Sequence, residues 1–402
     1  MILVSMEKNL VTLEKICKVD INQQMVGSYW KTWISYAEEG INMRETVYVC
    51  IPAYNAEKYI KKCIKSVLKQ DYQLYKVVVV DDGSVDNTGA ICDDFAKNDN
   101  RVVVLHKKNG GLWSARQKAI EYVKRIEEDD DNSYLMFLDA DDTLKENALS
   151  TVVKYMKNDG TDMLIFGFDW VKEDGRIVKT FSHNKKDMGI LADKRELYKI
   201  VYYDQSYNSL CRKAMRLKLF RNETEYDYHP MYGEDLLRSI DLYRNCTAVS
   251  FIKDILYNYM IVSSSITHSI KIDSQVRDFC YIKSFVYSAL KDESSMKQED
   301  MHDFYCKSYI DIKEIVNNIA VSAKTKDEKI HLFQILRNDT FTKAILTEVS
   351  YRDFAGRLFN DERYSALITV GKLSYYLSRI KNKATNIIKN TSSPTIHNVL
   401  NY

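Results

Sequence analysis

Residues 76–89 read KVVVVDDGSVDNTG. Four consecutive valines are strongly β-branched and apolar on both faces, which fits a short strand buried on both sides. The run stops at Asp81-Asp82-Gly83-Ser84, residues that favour turns and helix starts, and Asn87–Lys97 then reads as a helix. The same unit recurs outward from this point. Val47–Ile51 reads as a buried strand followed by a helix over Glu57–Gln70, where Tyr59/Ile60, Cys63/Ile64 and Val67/Leu68 share one face and Asn55 is the expected cap. Downstream, Val102–Leu105 is a strand, Leu112–Arg125 a helix, Tyr134–Leu138 a strand, Lys145–Met156 a helix and Met163–Phe168 a strand. Wholly apolar strands alternating with helices imply a mostly parallel sheet covered on both faces, a doubly wound α/β domain. Ligands on such sheets bind beyond the carboxyl ends of the strands, so chemistry is expected in the loops after Ile51, Val80, Leu105 and Leu138.

Past residue 170 the alternation decays into a polar hairpin around Lys172–Thr180, a helix near Lys194–Tyr203, a helix starting at Glu234 and a strand over Ile255–Met260. From about Asp273 the chain reads as successive helices. With 402 residues there is room for two or three domains, and the 58 basic and 56 acidic residues leave no global field of the kind that gathers nucleic acid. The 8 cysteines form no CxxC pair and no cluster, which favours free thiols in a reducing cytoplasm over a zinc or disulfide framework. The first ten residues lack the pattern of a signal peptide, and no apolar run approaches the ~20 residues of a membrane span.

The strand-four loop, Asp139-Ala140-Asp141-Asp142, carries three carboxylates at the end of an apolar strand. Such charges repel and resist burial unless a cation neutralises them, and paired oxygen ligands suit Mg²⁺ or Mn²⁺ bridging to a diphosphate. The plain alternative is that Asp141 or Asp142 caps the following helix. At the strand-two end, a carboxylate can meet a base N–H while Gly83 keeps the backbone low; Gly110 and Gly111 are small where a sugar or diphosphate must approach backbone. Glu234 and Asp235 open a helix, where acids complement its dipole or serve as a base.

Four ordered stretches, IPAYNAEKYI (51–60), VVVVDDGSVDNTG (77–89), KNGGLWSARQKAI (108–120) and YLMFLDADD (134–142), resemble the nucleotide-sugar domain of the family 2 glycosyltransferases, which have the GT-A fold. The likeness continues more loosely through MYGEDLLRSIDLY (231–243) to residues 257–269, in the manner of bacterial capsule and lipopolysaccharide members. It implies a GT-A domain over 46–270, with a nucleotide-sugar half (46–170) and an acceptor half (171–270), then a helical domain over 271–402. Residues 1–45 are an extension whose Tyr29, Trp30, Trp33 and Tyr36 suggest a docking helix, with Met43 an alternative start. Carried over, Pro52, Ala53 and Tyr54 wall the uracil, with Glu57 nearby and Asp82 pairing with the base; Asp139 lies by the ribose and metal, Asp141 binds Mn²⁺ or Mg²⁺, Arg116 supports the site, and Asp235 is the general base. Gln117 stands where the family has Asn, and Trp113 where small or polar residues are common.

The implied activity is inverting transfer of a hexose from a UDP-sugar to a hydroxyl of a saccharide or lipid-linked saccharide. A nucleotidyltransferase would need a Gly-rich basic loop after strand one, which Pro52-Ala53-Tyr54-Asn55 is not, and a silent binding subunit would not need intact acids at 139, 141 and 235. Residues 371–390 hold five basic and no acidic side chains; they read either as a solvated helix or as an interfacial helix on the inner face of an anionic membrane. The C-terminal helices also offer a surface for a homo-oligomer.

Overall fold

The computed structural model describes residues 45–128, 133–183, 189–203, 207–262, 271–349 and 354–375. The expectations for the extension 1–44, for residues 263–269, and for the segment 376–390 lie outside the described residues.

Ten strands among the described residues form one mixed sheet: β1 (Val47–Ala53), β2 (Tyr75–Asp81), β3 (Val102–His106), β4 (Tyr134–Phe137), β5 (Thr143–Leu144), β6 (Met163–Lys172), β7 (Ile177–Phe181), β8 (Gly189–Leu191), β9 (Lys213–Arg216) and β10 (Val249–Ile261). The order is β3-β2-β1-β4-β9-β6-β10-β5, with β7 beside β6 and β8 beside β10. β1 runs parallel to β2 and β4, and β2 parallel to β3, so the four acidic or polar loops leave from the same edge. Val77 to Val80 and Val47 to Ile51 are wholly buried or nearly so, as expected of strands covered on both faces. The covering helices are α1 (Ile60–Leu68), α2 (Thr88–Asn98), α3 (Gly111–Ile126) and α4 (Ala148–Asp159).

Three strands escaped the sequence reading. β9 is inserted antiparallel between β4 and β6, with Ala214 opposite both Met136 and Leu164. Its four residues, Lys-Ala-Met-Arg, show no alternation long enough to register, and only its place at the sheet centre buries Ala214 and Met215. β5 and β8 are two and three residues long. β10 runs through a bulge between Phe251 and Tyr257, and its second half pairs with β6 on one side and β5 on the other. Together with the β6–β7 hairpin, this carries the sheet past its ligand edge.

Asn55 does not cap the first helix. It sits in the left-handed region at φ 49° and its side chain accepts Val85 N at 2.9 Å; Tyr59 is the residue at the helix N-terminus. The seven described cysteines are all free thiols, as their spacing suggests.

α5 (Lys194–Tyr203) and α6 (Glu234–Asn245) lead to the helical part, α7 (Ile272–Asp292), α8 (Gln298–Val321), α9 (Lys326–Asn338), α10 (Thr340–Glu348) and α11 (Phe354–Asn360). α9 starts with a capping box, Thr325 Oγ1 accepting Glu328 N while Glu328 accepts Thr325 N. Apolar side chains of these helices, Val276, Phe304, Phe333 and Phe341 among them, belong to the same buried cluster as the sheet. No described helix is long and apolar enough to cross a membrane.

Candidate active site

The loops after β1 and β2 are bonded together. Asn55 N and Ala56 N donate to Ser84 Oγ and Thr88 Oγ1 at 3.0 and 2.7 Å, and Glu57 accepts Asn87 N and Nδ2 at 3.1 and 2.9 Å. Glu57 is therefore committed to joining the two loops. Pro52 and Ala53 are buried at the strand end, whereas Tyr54 presents its ring outward, 46% exposed.

Gly83 has φ +74°, and a Cβ there would meet Asn109 N at 2.7 Å, so only glycine lets the β2 loop sit on the β3 loop. Asp82, expected at the base, is only 2% exposed. Its oxygens accept Gly110 N at 3.0 Å, Gly111 N at 2.8 Å and the Lys107 ammonium. It thus fixes the glycine pair at the N-terminus of α3, where the helix dipole favours an acid.

Asp139, Asp141 and Asp142 part ways. Asp142 turns inward, accepting the Tyr257 hydroxyl and Met260 N, and burial with its two acidic neighbours holds its carboxyl far above the usual range. It is the member that fastens β10. Asp141 makes no ion pair with any described residue, and burial reinforced by Asp139 pushes its pKa up to about 6. Asp139 remains about a third exposed, receives Arg116 Nη2 at 3.2 Å and donates its backbone N–H to Tyr257 Oη at 3.3 Å.

Arg116 joins the two halves of the site. Buried on α3, it sends Nη1 to Asp235 at 2.5 Å and to Glu234 at 3.4 Å, and Nη2 to Asp139. Burial opposes its charge, but Asp235 and Asp139 more than restore it, so its pKa stands well above that of a free arginine. Gly233, at φ +78°, turns the chain into α6 and delivers Asp235 to this cluster, where Leu210 N also approaches it at 3.4 Å. Burial and Asp235 raise the neighbouring Glu234 to about 7.

The two departures from the family pattern are partners. Trp113 is nearly buried, with the Arg238 guanidinium 4.2 Å from its ring centroid and His229 stacked at 5.5 Å, while Gln117 accepts Arg238 Nη2 at 3.0 Å. They pack α3 against α6.

Both the sequence and the fold are matched by known proteins. The family model described as glycosyl transferase family 2 matches residues 48–220. The glycosyltransferase GlyG of Streptococcus pneumoniae serotype 4 is 32% identical over 229 residues, spanning 56% of this chain and 73% of that protein. This chain belongs to glycosyltransferase family 2. An uncharacterized glycosyltransferase of Bacillus subtilis, EpsJ, is 25% identical over 303 residues, 74% of this chain and 86% of the relative. Among solved structures, S. aureus TarS 1–349 in complex with UDP-GlcNAc superposes with a TM-score of 0.62 at 19% identity, over 83% of this chain and 92% of that one. It shares the GT-A fold.

Other groups in this glycosyltransferase had no sequence signal. Lys107 on Asp82 and Tyr257 between Asp139 and Asp142 are ordinary residues in the sequence, given meaning only by the sheet order. Lys213 is fully buried on β9, bonded to Ser239 Oγ at 2.8 Å, and burial lowers its pKa to about 7.

Proposed function

We propose that the protein transfers a hexose from a UDP-sugar to a hydroxyl of a saccharide or lipid-linked saccharide, with inversion, in the synthesis of a bacterial surface polysaccharide. The observation that carries this reading is the Arg116 bridge, which brings Asp139 of the strand-four loop and Asp235 of α6 to one side chain. Donor-side and acceptor-side acids must be neighbours for an attack on an anomeric carbon. The TarS complex, in the same fold, supports a UDP-sugar as donor.

Tyr54 offers its exposed ring as a wall for uracil, with Pro52 and Ala53 beneath it and Glu57 bracing the loop. Asp82 serves the base pocket through the Gly110–Gly111 turn it holds; with both oxygens already accepting from Lys107, Gly110 and Gly111, it would pair with a uracil N–H only by giving up one of these partners. Residues 46–170 thus serve the donor and 171–270 the acceptor.

Asp139 and Asp141 are a fitting donor set for Mg²⁺ or Mn²⁺. Both are hard oxygen ligands, and Asp141 carries an uncompensated repulsion that a cation removes. No group of three or more His, Cys, Asp or Glu is placed to hold a metal among the described residues. Such an ion supplies charge stabilisation to the departing UDP.

Asp235 accepts the proton of the attacking hydroxyl. Arg116 holds its Oδ1 and so aims the carboxylate, leaving Oδ2, approached by Leu210 N at 3.4 Å, to face the acceptor. With one base and no nucleophilic side chain required, displacement is direct and an α-linked donor yields a β-glycoside.

Calorimetric titration with UDP and with GDP, each with and without Mn²⁺, tests the donor assignment. UDP binding strengthened by Mn²⁺ and weak or absent GDP binding are expected; equal binding of both nucleotides would remove the uridine reading, and indifference to Mn²⁺ the metal assignment.

A further inference from the structure

The extension of the sheet beyond its ligand edge carries a row of side chains that the donor site does not use. Asn258 and Tyr257 of β10 pair antiparallel with Thr143 and Leu144 of β5, so Tyr259 comes next to Asp142 at the end of the acidic loop. On its other side Tyr259 pairs with Trp170 of β6, and Trp170 pairs with Lys179 of β7. Directly paired residues on adjacent strands project to the same face, so Tyr259, Trp170 and Lys179 form one row leading away from Asp141 and Asp142.

This row is open. Trp170 is 38% and Tyr259 41% exposed, unlike the neighbouring Phe168 at 9%. The two exposed rings lie 6.4 Å apart at 45°, Phe168, two residues back on β6, flanks them on the same face at 6.2 and 6.4 Å, and Lys179 Nζ lies over the Trp170 ring, 5.1 Å from its centroid. Burial together with Asp142, Asp141 and Asp139 raises the Tyr259 phenol to about 12, so it stays a neutral hydroxyl beside those acids.

We infer that Trp170 and Tyr259 form the platform on which a pyranose ring of the acceptor rests. The inference depends on the reading of this protein as a UDP-sugar transferase with a saccharide acceptor. A sugar has an apolar C–H face and a rim of hydroxyls. The platform has the matching parts: two ring faces, the Tyr259 hydroxyl and carboxylates at one end, and an ammonium at the other. Its position gives it this substrate: β6 and β10 run parallel to each other, and the row begins at the acidic loop, which is continuous with the donor site. A ring held there presents its hydroxyls towards the loop of Asp139 and Asp141, with the remaining units of a longer acceptor continuing towards Lys179.

Saturation-transfer NMR tests this with methyl glycosides of glucose, galactose, GlcNAc, GalNAc and rhamnose as probes, on wild-type protein, Trp170→Ala and Trp170→Phe, each loaded with UDP and Mn²⁺. At least one glycoside is expected to receive saturation from the wild type, to bind about three- to tenfold more weakly to Trp170→Ala, and to recover most of that in Trp170→Phe. UDP affinity, measured on the same samples, is expected to be unchanged and verifies that the variants fold. Equal glycoside binding by Trp170→Ala, no glycoside binding by the UDP-loaded wild type, or a wild-type dimer that the substitution dissociates would each overturn the platform. Failure of the wild type to bind UDP would instead strike the donor reading.

Discussion

Arg116 is the buried cation paired with Asp139, Glu234 and Asp235, and its removal would leave these carboxylates without their paired counter-charge. Breaking a buried ion pair from one side typically costs about 3–5 kcal/mol, so Arg116→Gln should lower the unfolding free energy from urea titration by that order and move the midpoint down accordingly; an unchanged midpoint would mean that water already solvates the acids. Glu234 makes the pH dependence explicit. Its folded pKa, about 7, lies above the ordinary 4.5, so the native state keeps a proton that the unfolded chain releases. Stability from this group is intact below about pH 4.5 and is lost as pH rises towards 7. Glu234→Gln should therefore raise the melting temperature at pH 8 and leave it nearly unchanged at pH 4.5; equal shifts at both would refute the raised pKa. Individual site residues were legible to different degrees. Asp139 and Asp141 announce themselves because acids ending an apolar strand are costly without a purpose, whereas Arg116 is one of many helix arginines and only the resemblance singled it out.

Among elements, the helical region reaches into the site through α7. Asp278, fully buried, accepts the Tyr228 hydroxyl and the amides of Met231 and Tyr232, both at 2.9 Å. It thereby holds the segment that ends at Gly233 and delivers Asp235. Asparagine offers one acceptor oxygen in place of two, so Asp278→Asn should cost about 1–3 kcal/mol and lower kcat with little change in UDP affinity. A loss of UDP affinity without a change in kcat would contradict this positioning role. Neither Asp278 nor β9 is visible in sequence, and for the same reason. A lone aspartate on an amphipathic helix and a four-residue strand acquire meaning only from segments distant in the chain. β1, β2 and β4 differ, because strands buried on both faces write their burial into consecutive residues.

At the scale of the whole molecule, the sheet and the C-terminal helices share one buried cluster, so events at the ligand edge act on the stability of the entire unit from Thr46 onward. Ligands that bind only the native state stabilise it by mass action, and two that share a site do so jointly. Mn²⁺ and UDP together should raise the melting temperature by more than the sum of their separate effects, and Asp141→Asn should erase that excess; strictly additive shifts in wild type would separate the metal from the nucleotide. The parallel run of β1 to β4 was legible from sequence, and with it the edge where the site lies, whereas their order, β3-β2-β1-β4, was not. Nor was the mixed half from β9 to β5, since its order depends on crossovers that no local pattern records.

The central claim is that Asp235 is the base of a metal-assisted sugar transfer. The most direct measurement is the rate of UDP release from a panel of UDP-sugars with Mn²⁺ and a saccharide acceptor, for wild type and Asp235→Asn at matched UDP occupancy. The substitution keeps shape and removes basicity, so release is expected to fall by about 10²–10⁴ while UDP affinity stays near wild type. Release by Asp235→Asn at the wild-type rate would contradict the account and pass the role of base to another group, with Glu234 the nearest acid on α6.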